Sequence, residues 1–445
     1  MSNPAETAAP SRLYRNYALG LLLLVYVVNF VDRSILSILN QSIKESLGVS
    51  DTAMGFLGGV AFALFYTFLG IPIARMADRG SRKTILAVCL ALWSAMTALC
   101  GMAGSFVQLL FARIGVAVGE AGGSPPSHSM ISDLFPPSQR ATAFGIYALG
   151  IPIGTMLGYL FGGWINEAFN WRVAFFVVGV PGILLALIVQ LTLKEPRRGA
   201  FDRDAKANDA VPEFRTVLSF LWRLKSFRYV SLGAALHAFV FYGVGFWLPA
   251  MFYRSHGMDT KVMGQALFLI GFAGMAGTFL GGYLTDKLGA RDFRWYVWSP
   301  AVTTIISVPF CVYTYLSSDT SMALWVYAIP YFLLASYLGP TFSVAQTLVG
   351  SRMRATASSI LIFVISLIGI GIGPQFVGIA SDVLNAHTGL GNHALRWALI
   401  AILGFNVLSA VLYMFAARTI RDDLKMKDAL AAAPASGQAA SNGAA

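Results

Sequence analysis

Charge is scarce in this chain. Only 12% of its 445 residues are Asp, Glu, Lys or Arg, against roughly 25% in soluble globular domains. Histidine is rarer still, with five. The three cysteines, Cys89, Cys100 and Cys311, all lie in apolar runs. They form neither a disulfide framework nor a metal spacing, and each reads as a small buried hydrophobe. No Gly-Lys-Ser/Thr phosphate loop occurs, which argues against ATP as an energy source. No Ser/His/Asp or metal-ligating constellation sits in a water-exposed stretch, so neither an enzyme nor a cofactor nor a metal is expected. The start, Met1 to Arg12, lacks the apolar core of a signal peptide.

What is abundant is apolar sequence. Hydrophobic residues make up 56% of the chain, and the mean hydropathy is +0.66. Apolar runs of about 20 residues, enough to cross a bilayer, recur twelve times. They lie near 16–39, 53–76, 83–104, 107–131, 141–163, 173–193, 229–253, 263–286, 294–316, 322–348, 356–384 and 395–417. The expected fold class is therefore an all-α integral membrane protein with twelve transmembrane helices.

The net charge of +11 has a topological rather than a nucleic-acid meaning. With both termini placed inside, 25 of the 32 Lys and Arg fall in inner loops and helix ends. Lys44, Arg172, Arg254, Lys261 and Arg396 fall outside, and Arg33 and Arg113 lie within spans. That asymmetry follows the positive-inside rule. It predicts a multi-pass protein of the inner (plasma) membrane with cytoplasmic termini. The longest polar stretch divides the spans six and six. The expected organisation is a tail (1–15), a first six-helix bundle (16–193), a linker (194–228), a second bundle (229–417) and a largely disordered tail (418–445). Within the linker, Lys194 to Asn208 reads as flexible, whereas Phe214, Leu218, Leu221 and Leu224 predict an amphipathic helix at the inner leaflet.

The halves repeat one another. Gly48 matches Gly257, and Met54-Gly55 matches Met263-Gly264, each 209 residues apart. Asp78 matches Asp286 at 208, and Arg140-Ala-Thr-Ala143 matches Arg354-Ala-Thr-Ala357 at 214. A duplicated six-helix half implies a binding site between the halves, near the midplane, exposed to each side in turn.

Against this apolar background the charges within spans stand out: Asp32 and Arg33 in the first, Arg113 and Glu120 in the fourth. A charge in hydrocarbon costs at least ~2.5–3.5 kcal/mol, so intramembrane charges are paired or functional. Glu120, near mid-span, is relieved either by a base or by a proton. It is expected to alternate between pairing with Arg33 and being protonated, with Arg33 freed to hold an anionic headgroup. Asp32 would orient Arg33 or join the proton exchange. Arg113, seven residues before Glu120 and on the same helix face, reads as a packing residue. Adding 209 to Asp32 and Arg33 gives Phe241 and Tyr242, and the tenth span holds no acid. One half is thus ionisable and the other aromatic, which suits an amphiphile. Asn29, His128, Tyr147, His237, Tyr242 and Trp247 are candidate cavity-lining residues.

The stretch Ala74 to Lys83, with Asp78, Arg79 and Arg82, resembles the signature loop of the major facilitator superfamily. Gly282 to Arg291, with Asp286, resembles its second copy. The resemblance implies a conformational latch at Asp78, Arg79, Arg82, Asp286 and Arg291. Arg113, Gly115 and Gly119 loosely resemble that superfamily's fourth-helix pattern, and Asn170-Trp171-Arg172 resembles one of its turns. Gly150-Ile-Pro152 and Gly373-Pro374 read as close-packing, bending segments. Asn29-Phe-Val-Asp32-Arg33, with Gly119-Glu120-Ala121 and Asp133-Leu-Phe135, resembles the Spinster family, and the short termini fit a bacterial member. That resemblance implies a proton-coupled, alternating-access transporter of a lysophospholipid or sphingosine-1-phosphate-like lipid. The partners would be that lipid, protons and membrane lipids, and the protein a monomer. A transporter of a small organic anion or drug is the alternative; a receptor or scaffold fits the hinge glycines and latch loops less well.

Overall fold

A computed structural model describes residues 11–199, 214–350 and 353–432. Among these, twelve helices are long and apolar enough to cross a membrane. They are α1 (Arg12–Leu47), α2 (Asp51–Arg79), α3 (Arg82–Cys100), α4 (Phe106–Leu134), α5 (Pro137–Ala168) and α6 (Trp171–Thr192) in the first half. The second half holds α7 (Lys225–His256), α8 (Thr260–Gly289), α9 (Trp295–Leu316), α10 (Thr320–Thr347), α11 (Thr356–Thr388) and α12 (Gly391–Lys427). Each predicted span lies on one of them, with ends agreeing within five residues except where α1 and α12 run on eight and ten residues further.

Those ends are set by caps rather than by the limits of apolarity. The side chains of Ser50, Ser81, Ser105, Asn170, Asp259 and Asp319 accept first-turn N–H groups of α2, α3, α4, α6, α8 and α10, as N-caps do. Helices α1 and α7 end on Gly48 and Gly257, at φ +62° and +63°. Only glycine takes that left-handed turn without strain. The repeat thus preserved both helix stops.

The two halves meet through small residues. A Cβ on Gly163 of α5 would lie 2.1 Å from the Thr260 carbonyl, and one on Gly378 of α11 would lie 2.4 Å from the Asp51 carbonyl. Gly163 and Gly378 are 215 apart, and Asp51 and Thr260 are 209 apart. The two crossings are therefore symmetry mates, α2 on α11 and α8 on α5. Both lie at the face opposite the linker. Gly378→Val should force that crossing open. Spin labels placed across this face should show a longer-distance population than in the parent protein.

Burial is greatest in α1 and α7, where 67% and 78% of the most apolar window is enclosed. These two helices therefore line the seam between the halves. Several helices are interrupted where they pass the centre. Helix α4 breaks into a turn after Glu120, before Pro125-Pro126. Helix α10 tightens to a 3₁₀ turn over Ala335–Tyr337, and α11 widens to a π turn over Ser366–Ile372. Such breaks free backbone groups that only buried partners can satisfy.

The linker side departs from expectation in two places. Residues 194–199, predicted flexible, are fastened to the first half. Glu195 accepts from Arg82 Nε (2.7 Å) and the Lys83 amide (2.9 Å), and Arg198 donates to the last carbonyls of α2. Burial pushes the Glu195 carboxyl up, but these donors outweigh it and hold it below its usual range. Residues 200–213 lie outside the described chain. In the tail beyond 417, expected to be largely disordered, the described residues continue α12 as helix to Ala432. Asp423 there accepts from Ser226, and Lys427 donates to the Thr347 carbonyl at 3.0 Å. Residues 433–445 are not described.

Candidate functional site

The site grows from consecutive residues of α1. Neighbours on a helix point about 100° apart, so Asp32 and Arg33 diverge. Arg33 turns to the seam and Asp32 turns into the first half. The Arg33 Nε–H donates to Glu120 Oε2 at 2.6 Å. The Glu120 side chain is fully enclosed, while a fifth of the Arg33 side chain stays exposed.

Aromatic rings surround the guanidinium. Its central carbon lies 5.1 Å from the ring centres of Phe30 and Phe62 and 4.5 Å from that of Tyr66. Each such contact is worth ~0.5–2 kcal/mol when water is excluded. The cage can therefore hold the cation while its carboxylate partner changes. Tyr242 of α7 faces Arg33 and Tyr66 across the seam and remains exposed there. Tyr26, stacked on Tyr147 at 4.3 Å, completes the wall.

Asp32 does not orient Arg33. It is wholly buried and faces Thr97, Arg113 and Glu120. Arg113, also buried, donates to the Asp32 backbone carbonyl at 3.4 Å and lies 5.6 Å from Phe62. One ring thus contacts two arginines, a cation of the seam and a cation that ties α4 to α1. Asn29 is buried beside Glu120. Gly115 and Gly119 let α3 close on α4: added Cβ atoms would come 2.6 Å from Met96 and 2.7 Å from Trp93. Gly150 gives α5 the same close approach to Tyr26 of α1.

A second polar cluster seals the face opposite the linker. Asp51, 2% exposed, receives a two-pronged contact from Arg254 at 2.6 and 2.7 Å. Lys44 and Ser381 add bonds at 2.6 and 2.7 Å. Asp382 of α11 caps α2 through the amides of Asp51 and Thr52. Arg254 Nε also donates to Gln41. Four helices, α1 and α2 of one half and α7 and α11 of the other, are joined by charge-assisted bonds. Thr260 of α8 adds bonds to α5, accepting from Asn166 and donating to the Gly163 carbonyl.

The chain is similar to known transporters in sequence and in fold. Residues 22–374 match the Major Facilitator Superfamily. A solved bacterial homolog of the human lysosomal transporter Spinster, inward-facing and unoccupied, superposes with a TM-score of 0.86 at 34% identity. That match covers 93% of this chain and 99% of the other. An MFS-type efflux pump of Mycolicibacterium smegmatis is 33% identical over 94% of this chain and 96% of its own length. A hexuronate transporter of Bacillus subtilis is 26% identical over 83% of this chain and 88% of its own.

The chain belongs to the major facilitator superfamily. It is a Spinster-like member of the bacterial type, and the family is one of transporters rather than enzymes. The facilitator signature loop is present, but its charges serve their own halves in this conformation. Arg82, 1% exposed, pairs with Asp133 and with Glu195. The Asp286 carboxylate accepts from Tyr296 at 2.8 Å. Arg79 and Arg291 are exposed. None of these spans the seam, whereas the Asp51 cluster does.

Two expected cavity residues are packing residues instead. His237 is fully buried, with Nδ1 on Thr304 and Nε2 on the Leu334 carbonyl, each at 2.9 Å. That carbonyl sits beside the 3₁₀ break of α10. Trp247, also fully buried, donates to the Pro374 carbonyl at 2.8 Å, beside the π turn of α11. Gly373 lets α7 approach there, an added Cβ lying 2.4 Å from the Phe239 carbonyl. Tyr147 lies one layer behind the surface at 2% exposure, while His128 is exposed against its edge. Pro152 lies within α5, partly exposed. The Phe62–Tyr66 cage and the Asp51 cluster lie outside the expected site residues. The four-residue spacing of Phe62 and Tyr66 and the scarcity of charge near Asp51 were the available signals.

Proposed function

We propose that this chain is a secondary active transporter that moves an anionic amphiphile, of the lysophospholipid or sphingosine-1-phosphate kind, coupled to proton uptake at Glu120. The caged Arg33–Glu120 pair carries this reading. In the resting state Glu120 neutralises Arg33. An incoming phosphate competes for the guanidinium, whose fork of donors suits it. The displaced Glu120, left in a fully enclosed position, takes a proton rather than remain charged and unpaired. The alkyl chain lies on the aromatic wall of the second half, beginning at Tyr242. Asp32 stays in the interior as a fixed partner of the α1–α4 contact.

The linker face is cytoplasmic in this reading, from the excess of Lys and Arg there, with the protein a monomer in the inner membrane. The Asp51 cluster is then the outer gate, and Asp78, Arg79, Arg82, Asp286 and Arg291 regroup across the seam when the inner side closes. Transport of a small organic anion is a second reading, supported by the likeness to a hexuronate transporter, because a carboxylate meets the same guanidinium fork.

Flux into proteoliposomes separates the two. A labelled lysophospholipid should be carried in a saturable, pH-dependent manner, with a hexuronate neither carried nor competing. Hexuronate flux without lysophospholipid flux would replace the first reading by the second.

A further inference from the structure

The helix inside the linker, Phe214–Arg223, carries two adjoining apolar stripes along one side. On one, Val217 and Leu221 are wholly buried in a cluster with Ala357 and Leu361 of α11 and Val230 of α7. That stripe fixes the helix under the second half. The other is bare. Phe214, Leu218 and Trp222 recur every four residues and are 61%, 38% and 68% exposed. Residues four apart share one side of a helix, so the three form a stripe.

Basic residues border that stripe. Arg215 and Arg223, with Leu218, Ser219 and Trp222, line a shallow groove. Neither arginine pairs with an acid among the described residues. Lys225 and Arg228, both exposed, continue the basic border into the first turn of α7. Because α7 starts at Lys225, the groove sits where the membrane bundle begins. A bare Phe/Leu/Trp stripe has no favourable place in bulk water. Beside arginines at the end of a membrane helix it has the composition of an interfacial helix.

We propose that this groove binds the headgroup of an anionic membrane phospholipid. Arg215 and Arg223 hold the phosphate, and Phe214, Leu218 and Trp222 lie among the first acyl carbons. Guanidinium groups match phosphate in charge and geometry, and the exposed rings match the headgroup boundary. The site is separate from Arg33 and Glu120 and does not depend on the nature of the transported substrate.

The test uses the full-length protein. Cys89, Cys100 and Cys311 are all buried, so S219C gives a single reactive thiol in the groove for an environment-sensitive fluorophore. The labelled protein is placed in nanodiscs of phosphatidylcholine with rising phosphatidylglycerol. The emission should shift to the blue and saturate with phosphatidylglycerol. In R215Q/R223Q the midpoint should rise about 25-fold, about fivefold per basic residue at an anionic surface. Inorganic phosphate added to phosphatidylcholine discs should leave the emission unchanged. In R12Q/R418Q, where exposed charges elsewhere on the linker face are removed, the midpoint should stay within twofold. An equal midpoint shift in R215Q/R223Q and R12Q/R418Q would reduce the effect to general surface potential and overturn the site. So would an unchanged midpoint in R215Q/R223Q. A response that emerges only after Asp202, Asp204, Asp209 and Glu213 are neutralised would assign the groove to the linker's own acids and overturn it too.

Discussion

Arg33→Ala should weaken binding of a lysophospholipid by roughly ten- to a hundredfold, the range expected when charge-assisted bonds worth ~1.5–3 kcal/mol are removed. The effect has two parts. The phosphate loses its fork of donors, and Glu120 loses the cation 2.6 Å away that makes its enclosed carboxylate tolerable. Breaking a buried pair from one side costs ~3–5 kcal/mol if the remaining charge persists. Glu120 in the variant will therefore hold a proton permanently, and the pH dependence of binding should vanish along with the affinity. Arg33→Lys separates the parts. It keeps a charge for Glu120 and for the rings of Phe30, Phe62 and Tyr66, but it loses the planar fork. Its binding should be intermediate, with the pH dependence retained. Titration of each variant in detergent over a range of pH reads both quantities. Full affinity in Arg33→Ala would remove the headgroup role.

The second large effect belongs to the opposite face. Asp51→Asn takes the carboxylate from between Arg254 and Lys44. Arg254 is almost wholly buried, with a side-chain exposure of 6%. The uncompensated charge should cost ~3–5 kcal/mol in the state where this face is shut. A cost of 3 kcal/mol is more than a hundredfold in a two-state equilibrium. The variant should therefore populate a conformation open at this face, seen as a second distance between spin labels placed across it. Adding Arg254→Gln removes the stranded charge and should restore much of the shut population. That recovery would mark the effect as electrostatic, as a double-mutant cycle requires. A single unchanged distance in Asp51→Asn would mean that the glycine crossings at Gly163 and Gly378 alone hold the face shut.

Much of this architecture is legible in the sequence because membrane burial makes polarity conspicuous. Asp32, Arg33, Arg113 and Glu120 stand out once the spans are drawn, and the Arg33–Glu120 pairing follows from cost alone. The Gly48–Gly257 match is legible as a repeat, while its meaning as a pair of helix stops comes from their left-handed φ angles. What stays hidden is the direction in which an apolar helix turns its side chains. In water, periodic polarity marks the outer face; in a bilayer both faces are apolar, and His237 and Trp247 look equally suited to a cavity or a core. Their partners decide the matter, and these are backbone carbonyls next to helix breaks at Leu334 and Pro374, which no residue pattern announces. Which neighbour Asp32 meets is hidden for a related reason. Its adjacency to Arg33 suggests a pair, yet the helical step of about 100° sends the two side chains to different neighbours. Asp51 opens a helix, where an acid is commonplace, and only the fold brings Arg254 to it.

Proton counting during substrate binding tests the Arg33–Glu120 exchange most directly. Purified protein in weakly buffered solution with a pH indicator is mixed with a lysophospholipid below its micellar concentration. If the phosphate displaces Glu120 from Arg33, the parent protein will take up about one proton per bound amphiphile, and Glu120→Gln will bind it without any uptake. Binding with no proton uptake in the parent protein, or the same uptake in Glu120→Gln, would contradict the exchange.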